Sequence, residues 1–89
     1  MKKFKSKTEV VEAMQFTNRL KDRVYVWITQ KQQNITHDWD DNRNPVLKIP
    51  TVGGVQIACL DDYIVVGSEG NIYPCRPEFF ENIFEAVTD

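Results

Sequence analysis

Histidine occurs once in this chain of 89 residues, cysteine twice, and glycine and proline four times each. One imidazole leaves little material for acid–base catalysis. Neither Ser6 nor Ser68 has the strand-turn-helix context of an activated nucleophile. The thiols Cys59 and Cys75 stand sixteen residues apart and, with His37, are too few ligands for a closed zinc site. No cofactor, no metal and no enzymatic activity are therefore expected. Nor is there any apolar run near the roughly 18 residues that a membrane helix requires. The opening MKKFKSKTEVVEAMQF lacks the apolar core of a secretory leader. A cytoplasmic location follows as the expectation, and with it free thiols, a disulfide between the two cysteines remaining the alternative. With no repeat, low-complexity segment or Pro/Gly/Ser-rich linker, residues 1–89 read as a single small domain.

What the chain does have is 42% apolar, 11% aromatic and 27% charged residues, the balance of a globular protein. At this length folding removes only roughly 60–65% of the exposable surface, so the core must be thin. The net charge of −2 is unevenly spread: residues 1–44 hold nine Lys/Arg against six Asp/Glu, and residues 45–89 hold two against seven. Such a charge dipole orients association with a partner, whereas a general nucleic-acid binder is expected to be more basic.

TEVVEAMQF, Thr8 to Phe16, alternates Val10, Glu12, Met14 and Phe16 with Val11, Ala13 and Gln15. Two largely apolar faces predict a central strand. Leu20, Val24, Trp27 and Ile28 share one helical face, which predicts a helix over about 18–28 with Asn18 as N-cap, although VYVWIT has strand composition. Ile35, His37 and Trp39 alternate as a strand. Val46–Thr51 and Val55–Leu60 flank Gly53 and Gly54 as a hairpin, and Tyr63–Val66 and Asn71–Cys75 flank a turn at Gly67–Gly70 as a second. In YPCRPEFFENIF, Pro74 and Pro77 restrict the backbone around Cys75 and Arg76 and end the strand. Pro77 suits the first position of a short helix over about 77–84, whose early acids Glu78 and Glu81 complement its dipole. Phe79, Phe80, Ile83 and Phe84 read as its apolar stripe. The expected fold is α+β, a small, mostly antiparallel sheet packed against these two helices.

Two segments together resemble a family of small proteins of tailed bacteriophages and prophages. Members open with KK(Y/F)xKKPVxVEAxQ(W/F), matched here by KKFKSKTEVVEAMQF, and close with PGDYIIxGxKGExYPCKPDIFExxYExV, matched by CLDDYIVVGSEGNIYPCRPEFFENIFEAV. Asp62, Tyr63, Gly67, Gly70, Tyr73, Pro74, Cys75, Pro77, Phe80 and Glu85 match. Leu60 and Asp61 replace the family's proline and glycine, Glu69 its loop lysine, Asn71 its glutamate and Arg76 its second lysine. The resemblance implies a phage accessory protein, acting in the host cytoplasm, in a family with no established enzymatic activity.

Several residues carry both a structural and a functional reading. Lys2, Lys3, Lys5 and Lys7 keep a chain end solvated, or bind a phosphate backbone with salt-dependent affinity. His37 is a half-buried histidine more readily than a base, and HDWDD is a solvated loop more readily than a cation site. GSEG is a hairpin turn, since Glu69 repels any anion its amides would cradle. Glu12 shares a face with Val10, Met14 and Phe16 and needs a partner, for which Arg76 is the candidate. Glu12, Pro74, Cys75 and Pro77 then form a structural corner. Alternatively Trp39, Tyr73 and Arg76 make an aromatic and cationic pocket for a nucleotide. The leading expectation is a non-catalytic, homo-oligomeric binder that sequesters a small anionic ligand, such as a nucleotide immune signal, as a counter-defence. The alternatives are a module that inhibits a host protein through its acidic half and, last, a small nucleotide-processing enzyme.

Overall fold

A computed structural model of the chain describes residues 2–5, 10–32 and 34–86. Thr8, Glu9, Ser6 and Lys7 lie outside the described residues. Two antiparallel sheets and two helices make the small α+β fold that the patterning predicts. The first sheet contains β1 (Lys2–Lys5), β2 (Val10–Gln15), β6 (Tyr63–Val66), β7 (Ile72–Cys75) and β8 (Glu85–Ala86) in the order β7-β6-β2-β1-β8. The second contains β3 (Thr36–Trp39), β4 (Pro45–Thr51) and β5 (Gly54–Ala58) in chain order. Helix α1 spans Lys21–Thr29 and α2 spans Pro77–Ile83.

β2 is central, and its two apolar faces serve two separate cores. On one side Met14 and Phe16, with Ile64, Val66 and Ile72 of β6 and β7, meet Val24, Trp27 and Ile28 of α1 and Leu47, Ile49 and Ala58 of the second sheet. On the other side Val11, Ala13 and Val65 meet Phe80 of α2. Phe80 is the hub of this second core: its ring stacks on Tyr63 at 3.9 Å, meets Phe4 edge-on at 4.8 Å and contacts Phe84 at 5.0 Å. Burial of one such ring stabilises by about 1.5–3 kcal/mol, and each aromatic pair adds about 0.5–1.5 kcal/mol.

Three expectations need correction. The α2 stripe is narrower than its spacing suggests: Phe80 is 2% exposed, but Phe79 and Ile83 are 59% and 54% exposed. The helix turns a single i, i+4 row, Phe80 with Phe84, toward the first sheet. Helix α1 begins at Lys21 rather than near 18, because the Thr17 hydroxyl accepts a hydrogen bond from Leu20 N at 3.1 Å and closes a turn first. Asn18, expected as the cap, instead accepts from Lys21 Nζ through its main-chain and side-chain oxygens. Finally, Lys2–Lys5 does not avoid strand pairing: it is a strand held between β2 and β8, with Lys3 exposed and Phe4 packed against the second core.

Among the described residues, no helix is long and apolar enough to cross a membrane.

Candidate functional site

Two places concentrate polar groups, and the first is the corner that joins β2, β6 and α2. Asp61 N donates to Phe16 O at 2.6 Å and Phe16 N donates to Asp62 O at 2.7 Å, so the bend over 59–62 is zipped to the end of β2. The Asp62 side chain is 5% exposed. Its Oδ2 accepts from Cys59 N at 2.9 Å, closing the bend, while the buried Oδ1 has no hydrogen-bond partner among the described residues and faces Arg76 Nη1 at 3.6 Å. That ion pair compensates a carboxylate whose burial alone is costly.

Arg76 thus pairs with Asp62 and not with Glu12, which lies 3.8 Å from Lys31 Nζ. Strand register dictates this. Glu12 faces Val66, at the turn end of the β6–β7 hairpin, whereas Tyr63 faces Cys75 at the open end, next to Arg76. Pro74 faces Ile64 on the edge strand, where a missing N–H is tolerated, and extended Arg76 delivers the chain to Pro77 at the start of α2. Both cysteines are free and half-buried. Burial first, then the nearby Asp62 and Glu78 charges, raise the Cys75 thiol above its ordinary pKa. Tyr63 is raised by burial and by Glu81. A raised thiol pKa lowers the fraction of thiolate, the nucleophilic form, at neutral pH.

The second place is a cleft of about 660 Å³ between the β4–β5 turn and the β6–β7 turn. One wall is Gln32, Asn34, Gln56 and the segment 50–53; the other is Asn71, Ile72 and Tyr73. Among the described residues that line it, none is charged. Gln32 Nε2 donates to Asn34 Oδ1 at 2.9 Å and to Pro50 O at 3.2 Å, which fixes one rim. Across from it, Gly67 N donates to Asn71 O at 2.8 Å, and a Cβ at Gly67 would run into the Asn71 carboxamide. Glycine there lets Asn71 fold over the turn.

Trp39, Tyr73 and Arg76 are not gathered into one pocket. Trp39 stands on the second sheet, 57% exposed, with its ring edge-on to His37 at 4.6 Å. Tyr73 packs with the Phe80 core on the far face of the first sheet and borders the cleft, and Arg76 is engaged with Asp62. His37 lies between Trp39 and Tyr25, and Asp40 Oδ1 accepts from Asn42 N and Asn44 N, organising its own loop. Among the described residues no cluster of three His, Cys, Asp or Glu is placed to hold a metal ion. A smaller recess of about 390 Å³ is lined by Thr17, Arg19, Leu20 and Arg23 at the start of α1.

The four carboxamides were not legible in the sequence, because they come from three separate segments, at 32–34, 56 and 71. Asp62 was also missed, although counting back along the second hairpin from its turn places Asp62 opposite Arg76. No protein-family model, curated protein or solved structure matches this chain.

Proposed function

We propose that the chain is a non-catalytic accessory protein of the tailed-phage kind, and that it sequesters a small ligand with a nucleobase-like edge in the uncharged cleft. The observation that carries this reading is the lining itself: Gln32, Asn34, Gln56 and Asn71 around a recess of about 660 Å³. Gln32 Nε2 is engaged by Asn34 Oδ1 and Pro50 O, so Gln56 and Asn71 present the carboxamides that meet a ligand, each with donor and acceptor positions complementary to those of a base. The volume lies within the roughly 300–1,000 Å³ typical of small-molecule sites. With no cation in the cleft, recognition rests on the base and leaves phosphates outside, as suits a nucleotide signal held without turnover. The phage context is supported by the two terminal motifs and by Asp61, whose φ of 76° is a conformation natural to the glycine that the similar family has there.

Calorimetry with nucleosides, the matching nucleotides and cyclic dinucleotides tests the ligand. Nucleoside binding is expected, changed less than about threefold, or ~0.6 kcal/mol, by added phosphate, and abolished by Gln56→Leu or Asn71→Leu. Absence of binding to every compound overturns it. Binding that requires phosphate and disappears in Arg19→Ala or Arg23→Ala moves the site to the recess at α1.

A second reading, inhibition of a host protein, is favoured by the outer side of α2. There Phe79 and Ile83 are exposed beside the exposed acids Glu78 and Glu81. If this face is the docking site, Phe79→Ser with Ile83→Ser abolishes capture of a host partner while leaving nucleoside binding intact.

A further inference from the structure

β5 is an edge strand without the usual protection. The opposite edge of its sheet, β3, carries His37 and Asp38, and the β7 edge carries Pro74, features that discourage further pairing. β5 reads GVQIA, and from Ile49 to Leu60 the chain has no charged residue. Val55 and Ile57 are 63% and 54% exposed. Directly opposite residues share a face, so Gln56, facing Ile49, is on the core side, and Val55 and Ile57 are on the outer side.

The turn determines which main-chain groups are available. Thr51 faces Gly54 across the two-residue loop Val52-Gly53. In such a hairpin the closing pair is hydrogen-bonded and the pairs then alternate. Gln56 therefore exchanges its main-chain bonds with Ile49, while Val55 and Ile57, opposite Pro50 and Lys48, direct theirs away from β4. Pro50, which has no N–H, falls at one of these outward positions.

We propose that β5 pairs with β5 of a second copy of this chain, antiparallel about a two-fold axis through Gln56. The segment is self-complementary in that register. Val55 of each copy exchanges main-chain bonds with Ile57 of the other, the same residues form aliphatic cross-strand pairs on the outer face, and no charge opposes approach. Both Gln56 side chains fall on the inner face, so the two clefts open side by side in one continuous six-stranded sheet. The pairing stands on the strand's own geometry and does not depend on what the cleft binds.

Light scattering of the full chain over a dilution series reads the outcome. A mass twice that of one chain is expected at high concentration. It falls to half in Val55→Pro, which removes an outward donor without touching the β4–β5 bonds, and in Ile57→Lys, with circular dichroism showing both variants folded. Gln56→Cys, in a Cys59→Ser, Cys75→Ser background, is expected to cross-link across the axis on mild oxidation. A wild-type monomer at every concentration, a dimer unaffected by Ile57→Lys, or failure of Gln56→Cys to cross-link overturns the proposal. A monomer that instead adds an extended foreign peptide to β5 overturns the choice of a second copy.

Discussion

Adjacent phenylalanines on α2 have opposite environments, and substitution separates them. Phe80→Ala removes the ring on which Tyr63, Phe4 and Phe84 pack and is expected to cost about 3–5 kcal/mol, a large part of the total for so small a domain. Phe79→Ser should change urea stability by no more than about 0.5 kcal/mol. Asp62→Ala leaves Cys59 N without its acceptor and Arg76 without its counter-charge, and is expected to cost about 1–3 kcal/mol in the same measurement. Cys75 and Tyr63 are both raised, first by burial, and so contribute a pH dependence on the alkaline side. Folding favours the neutral thiol and phenol, so their contribution is complete below the unfolded pKa values and is lost as pH rises through the folded ones. The urea midpoint should therefore decline above about pH 8.5, where an ordinary thiol begins to ionise. Cys75→Ser with Tyr63→Phe should flatten the decline.

At the scale of elements, legibility followed contrast in the local pattern. Pro77 with Glu78 marked the start of α2, the glycines marked both hairpins, and two-sided apolar alternation marked β2 as central. β1 and β8 were not legible. Lys2–Lys5 offers one apolar residue, Phe4, among lysines, and is a strand because β2 and β8 complete its ladder. The Asp62–Arg76 pair was within reach, since the turn fixes the register of the β6–β7 hairpin, whereas the cleft was not, since nothing local joins Gln32, Gln56 and Asn71. The β4–β5 turn allows a clean test of backbone cost. Gly54 has φ of 115° and nothing near where a Cβ would stand, so Gly54→Ala is expected to cost about 1–3 kcal/mol from conformation alone, read by urea unfolding.

On the scale of the whole molecule, one sheet carries a core on each side. Phe16 and Val11 are both buried, yet in different cores, which divides apolar material that is already scarce at this length. The hydrogen bonds joining Phe16 to Asp61 and Asp62 acquire a further meaning here. They bring the chain back to the place from which it departed, so that everything between, α1 and the second sheet, is an excursion from a frame made by the first sheet and α2. Gln32, Asn34, Gln56 and residues 50–53 belong to the excursion, and Asn71, Ile72 and Tyr73 to the frame. The two walls of the cleft therefore come from parts of the chain that share a core, and the excursion's wall has freedom to vary only at residues outside that core, such as Gln32, Asn34 and Gln56.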